Sequence, residues 1–116
     1  MEATKIYIKN VIGDEFGVEA GEGDKVYELI QRAFLEDKKV MVSFHDIKML
    51  TTAFLNTAIG KLYKDYSEKF IREHLSVSDM TASGKVALKR VVDTAKLYYK
   101  DPEAMERSIN ELLGDG

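Results

Sequence analysis

Residues 40–44 read Val-Met-Val-Ser-Phe, a short and almost wholly apolar run. Bounded by polar residues on both sides, such a run is what a strand buried on both faces looks like. After the polar break His45-Asp46, the segment Ile47-Lys48-Met49-Leu50 leads to a Thr51-Thr52 pair. Leu55, Ala58, Ile59, Leu62 and Tyr63 then recur at i, i+3, i+4, i+7 and i+8, the spacing of one helix face. A buried strand that feeds a helix in this way presents the first helical turn at its own carboxyl end. In α/β folds that is where function usually sits. The helix is expected over about 52–64, with Tyr66 extending its stripe. Gly60 inside it costs about 1 kcal/mol relative to Ala, and is expected to allow close packing on a neighbour, here the sheet.

The flanking chain supplies partners for this unit. Residues 5–12 alternate Ile6 and Ile8 against Lys5, Tyr7 and Lys9, a half-buried strand pattern. Gly13-Asp14-Glu15 reads as a turn, and Phe16-Gly17-Val18 as a short strand returning as a hairpin. After the loop 21–24, where Asp24 is the expected N-cap, Val26, Leu29, Ile30, Ala33 and Phe34 mark a helix over 25–36. Residues 67–73 read either as a turn of helix or as the approach to a strand over 74–78, where Leu75 and Val77 alternate with serines. Leu88, Val91, Val92, Ala95 and Tyr99 mark a further helix. Asp101-Pro102 then opens a last one over about 102–113, carrying Met105, Ile109, Leu112 and Leu113. The sum is a small α/β sandwich: a mixed, partly parallel sheet of about four strands with four helices, in a single domain whose core spans about 5–99.

Composition narrows the function. The chain has 116 residues, 45% hydrophobic and 32% charged, with a net charge of −3. That belongs to a globular protein and argues against a nucleic-acid partner, which needs a basic face. No run approaches the roughly 18 apolar residues of a membrane span, and the start lacks a signal-peptide core. A cytoplasmic protein with no membrane contact is the expectation. With no cysteine, disulfides, thiolate metal sites and cysteine nucleophiles drop out together.

Catalytic and metal signatures are absent from the sequence. His45 and His74 fall on different elements without metal-ligand spacing, so neither a metal nor a cofactor is expected. Turn formation is the commoner role for His45-Asp46, and His74 reads as structural or exposed. No serine lies in a G-x-S-x-G elbow, and no carboxylate pair stands out by its surroundings. Gly21 and Gly23 lack the Lys-Ser/Thr ending of a phosphate loop, and Glu22 and Asp24 would repel phosphate. Tyr98 and Tyr99 are adjacent, so one of them faces away from the core. Thr51-Thr52 remains: one threonine caps the helix. A hydroxyl here could also take a phosphate, adding about −1.5 to −2 charge at a helix start whose dipole tolerates it. Such a charge would alter a docked partner's contact without unfolding the chain.

The order of buried strand, polar break, hydrophobic pair, Ser/Thr dipeptide and helix in VSFHDIKMLTTAFLNTAIGKL resembles the STAS domain of bacterial anti-sigma factor antagonists, and more closely the STAS-like group. The downstream HLSVSDMTASGKVALKRVVDTAKLYY follows the same outline. The resemblance implies a mixed sheet flanked by helices, a cytoplasmic protein and a binding role. In the antagonists, a serine at the start of the central helix is phosphorylated by a histidine-kinase-like ATPase. Their Asp-Ser-Ser-Gly falls on Thr51-Thr52-Ala53-Phe54, which makes Thr52 the implied acceptor, with Thr51 beside it. The acid, the second serine and the glycine are all replaced here.

The leading expectation is therefore a non-enzymatic protein-interaction module in bacterial signalling. Its partner-binding residues are His45, Asp46, Thr52, Phe54 and Asn56. The alternative is a regulatory domain binding a small molecule or nucleotide in a crevice lined by His45, Thr51, Thr52, Ser78 and Asp79. An enzyme has the least support. A further reading gives the last helix to self-association, and the oligomeric state stays open.

Overall fold

The computed structural model describes residues 3–100 of the chain; the helix expected over 102–113 lies outside them. The core is a three-stranded parallel sheet in the order β1 (Ala3–Tyr7), β3 (Lys39–Ser43), β5 (Leu75–Ser78). A second, two-stranded parallel ladder pairs β2 (Phe16–Gly17) with β4 (Met49–Leu50). The α/β sandwich is as expected, but the described strands number five in two ladders, and every pairing between them is parallel. Parallel neighbours need crossovers. The long helices α2 (Ala20–Leu35) and α6 (Ala82–Lys100) supply much of the helical layer, and α2 makes the connection from β2 to β3.

In β3, Val40 and Val42 are buried against the helices, at 1% and 0% exposure. Their partners Ile6 and Leu75 continue that face across the sheet. The opposite face carries the row Lys5, Met41 and Ser76. Met41 is only half-buried there and its two neighbours are exposed. The central strand is thus fully buried on one face and partly open on the other, a correction to the two-sided burial expected of it.

Three local readings change. Ile8–Ile12 form helix α1 rather than the end of a strand. Ile8, Val11 and Ile12 also fit helical spacing and all pack on the core. Gly13 closes that helix in the left-handed region at φ 69°, its N–H bonding the Lys9 carbonyl at 2.8 Å, the conformation glycine reaches without steric cost. Phe16–Gly17 pairs with β4 and makes no hairpin. The helix after it begins at Ala20, so Asp24 is not its N-cap; Asp24 sits inside α2 and binds the Lys61 ammonium.

Close approach explains Gly23. A Cβ there would overlap the Thr57 hydroxyl and lie 2.5 Å from the Phe54 carbonyl oxygen. Glycine lets α2 pass against the central helical stretch, which runs as α3 (Thr52–Leu55), a π-helical turn (Asn56–Gly60) and α4 (Leu62–Asp65). Gly60 packs on Val91 and Ala95 of α6, not on the sheet. Ser67 caps α5 (Glu68–His74) by accepting from the Phe70 N–H at 3.1 Å, which settles residues 67–73 as helix. His74 is structural: its ring stacks on Phe70 with centroids 3.9 Å apart, and its nitrogens lie 2.9 Å from the Phe70 carbonyl and 3.0 Å from Asp37.

Candidate functional site

The carboxyl end of β3 meets the start of the central helix through a set of specific contacts. Thr51 is the N-cap of α3: its Oγ1 accepts from the Phe54 N–H at 3.1 Å. The same hydroxyl donates to the Val18 carbonyl at 2.6 Å, and the Thr51 N–H donates to the Gly17 carbonyl at 3.0 Å. Thr51 thus ties the helix start to the end of β2. Thr52, the first residue of α3, is exposed, and its hydroxyl makes no hydrogen bond among the described residues. The two neighbouring threonines have separate positions, one consumed by the fold and one facing solvent.

Phe54 is fully buried at 0% exposure. It therefore packs into the core and cannot serve as the exposed anchor that its place near the helix start suggested. Its inward rotamer follows from the helix geometry: Phe54, Leu55 and Ala58 share the buried face, while Thr52, Ala53 and Asn56 stay exposed.

His45 and Asp46 form the exposed turn after β3, with Asp46 at φ 58°. Lys9 donates to the Asp46 carboxylate at 3.2 Å, and the His45 ring lies 3.6 Å from it. The Lys9 hydrogen bond, with His45 and then Lys48 adding their fields, holds the Asp46 carboxyl below the usual aspartate range. Lys9 and Lys48 also bracket Glu15, at 4.0 and 3.3 Å. This surface network joins the turn to the residue just before β2.

Beside it, Phe16 and Met49 face each other across the β2–β4 ladder and are 45% and 54% exposed. Val18, also exposed, follows β2, and its carbonyl is the one that Thr51 binds, so the helix start is tied to this apolar strand pair. Sequence reasoning missed this pair because parallel pairing between distant short segments leaves no local pattern. It also missed Lys9, Glu15 and Lys48. Behind the turn, the buried Ser43 hydroxyl donates to Asp79 at 3.0 Å and accepts from the His45 N–H at 3.3 Å. Ser78 donates to the same carboxylate at 3.3 Å. Ser43, the single polar residue inside the apolar run, was the visible sign of that link.

Among the described residues, none of His45, Thr51, Thr52, Ser78 and Asp79 lines the crevice at this end of the sheet. The crevice at this end, about 190 Å³, is instead lined by neighbours including Phe44, Leu50, Met80 and Thr81. Among the described residues, no group of three or more histidines and carboxylates is placed to hold a metal ion, and no helix is long and apolar enough to cross a membrane.

A comparison with protein families matches residues 22–85 to the STAS-like domain of unknown function, DUF4325. The match spans more than half of the chain, from α2 through the central strand and helix into α6, and the chain belongs to this family. STAS-like domains are non-catalytic and are generally linked to regulation and protein interaction. No curated protein and no solved structure matches the chain.

Proposed function

We propose that this STAS-like chain is a protein-interaction module of bacterial cytoplasmic signalling. Its partner, a histidine-kinase-like ATPase or another regulator, docks on the surface around Phe16, Met49 and Thr52, flanked by His45, Asp46 and Asn56. Phosphorylation of Thr52 switches the contact.

The observation that carries this reading is the division between the two threonines. Thr51 spends its hydroxyl on the cap and on Val18. Thr52 keeps its hydroxyl free of hydrogen bonds among the described residues, exposed at the first helical position three residues after the exposed Met49, which pairs with the exposed Phe16. A phosphate at Thr52 would meet the positive end of a helix, which tolerates it. It would also put close to two negative charges beside the apolar patch that a partner must desolvate. The fold survives and the interface does not.

Size weighs against the small-molecule alternative. The nearby crevice of about 190 Å³ is smaller than the roughly 300–1,000 Å³ of ordinary ligand sites. The test is to purify a partner captured with the wild-type chain and titrate it with Met49→Asp and Phe16→Ser. Both substitutions fall on exposed side chains and should leave the fold intact by circular dichroism. At least a tenfold loss of affinity is expected from each; unchanged affinity for both would remove the patch from the interface.

A further inference from the structure

A second surface lies along the free edge of β1, and none of its residues belongs to the surface described above. β1 is an outer strand whose only strand partner among the described residues is β3, and the two pair without a break from Ala3 to Tyr7. An outer strand leaves alternate N–H and C=O groups directed away from the sheet, ready to pair with another chain. No bulge interrupts this one. Beside it, between β1 and α2, runs a groove of about 420 Å³ floored by Ile6, Val11, Leu29 and Ala33.

The rim of that groove is cationic in a chain whose net charge is negative. Lys5, Arg32 and Lys38 stand against one carboxylate, Glu36, and Glu36 is paired with Lys38 at 3.0 Å. Neither Lys5 nor Arg32 has an ion-pair partner among the described residues. Lys5 lies 5.8 Å from the ring centroid of Tyr7, itself exposed on the same face of the strand.

We propose that this edge receives an extended acidic segment of a partner protein by strand addition. The partner backbone pairs with the open groups of β1, alternate apolar side chains enter the groove, and its carboxylates meet Lys5 and Arg32. The open main-chain groups select a peptide over a compact small molecule, because only another backbone satisfies a row of them. The charge selects against a second copy: a two-fold pairing of β1 with β1 would bring the same cationic rims together. Lysine on an outer strand discourages that self-pairing, while leaving the edge open to a strand of opposite charge.

The test uses a short, capped, fluorescent peptide alternating glutamate with valine, and its lysine-for-glutamate counterpart. The full chain is titrated into each by fluorescence polarisation, and amide exchange is followed on the saturated chain. The acidic peptide is expected to bind at least roughly tenfold tighter than the basic one, and to slow exchange in Ala3–Tyr7. Lys5→Glu/Arg32→Glu, which changes only exposed charges, should reverse the preference with an unchanged melting curve. Equal binding of the two peptides, no binding of the acidic one, protection confined to other elements, or a preference that survives the double substitution would each overturn the proposal. So would concentration-dependent dimerisation through β1, because it would assign the edge to a second copy.

Discussion

Thr51 and Thr52 are adjacent and chemically identical, so their substitution by alanine isolates what position alone does. Thr51→Ala removes an N-cap acceptor, a loss of about 1 kcal/mol. It also removes the donor to the Val18 carbonyl, a bond at 2.6 Å on the exposed side of the molecule, worth about 0.5 kcal/mol where water can replace it. The sum, about 1.5 kcal/mol, corresponds to a fall of roughly 6 °C in Tm for a chain of 116 residues. Thr52→Ala removes no hydrogen bond among the described residues and places a good helix former at an exposed first position. It should stay within about 0.5 kcal/mol of wild type. Thr51→Ser keeps the hydroxyl and should recover most of the loss. Urea unfolding followed by circular dichroism, with a thermal melt as a check, reads all three. If the two alanine variants lose equal stability, or if Thr52→Ala loses more, the separation of a structural threonine from a free one is wrong.

Further outcomes follow from the same contacts. Gly23→Ala gains about 1 kcal/mol of helix propensity, but its Cβ meets Thr57 and the Phe54 backbone. Net destabilisation of about 1–3 kcal/mol is expected, and a stabilised variant in urea unfolding would contradict the close approach of α2. Asp79→Ala strips the buried Ser43 hydroxyl of its acceptor and leaves alanine at φ 61°. Unfolding should show a loss of about 2 kcal/mol, while Asp79→Asn, which retains an acceptor and tolerates that backbone, loses less; equal losses would refute the link. Asp46 should titrate below the ordinary aspartate range by NMR, chiefly because of Lys9. Since its folded pKa is depressed, its stabilising contribution is present above the unfolded carboxyl range and disappears as pH falls through the folded value. Lys9→Met should move the titration upward, and an unmoved midpoint would refute the assigned cause.

The strand–helix junction was legible because its signals are local. The apolar run of β3, the helical stripe after Thr52 and a cap within Thr51-Thr52 each depend on residues close in sequence; that the cap is Thr51 comes from the structure. What escaped depends on contacts between distant segments. Ile8 satisfies both a two-residue and a helical period, and only the packing of Val11 and Ile12 with the left-handed Gly13 decides for helix. Gly21 and Gly23 look like a loop by composition, yet both lie at the start of α2, and at Gly23 the Thr57 hydroxyl and the Phe54 carbonyl occupy the space a side chain would need. Phe54 reads from its place near the helix start either as an anchor for a partner or as a core residue, and the core it meets fixes it inward. The Phe16–Met49 patch arises from a two-residue parallel ladder, so the candidate site's position was visible while half of its surface was not.

The most direct measurement of the docking account is the affinity of a purified partner for the wild-type chain, for Thr52→Glu and for the chain phosphorylated at Thr52, by isothermal titration. The account predicts at least a tenfold loss for both modified forms, with Tm and circular dichroism unchanged. Equal affinity across the three would contradict a switch at Thr52.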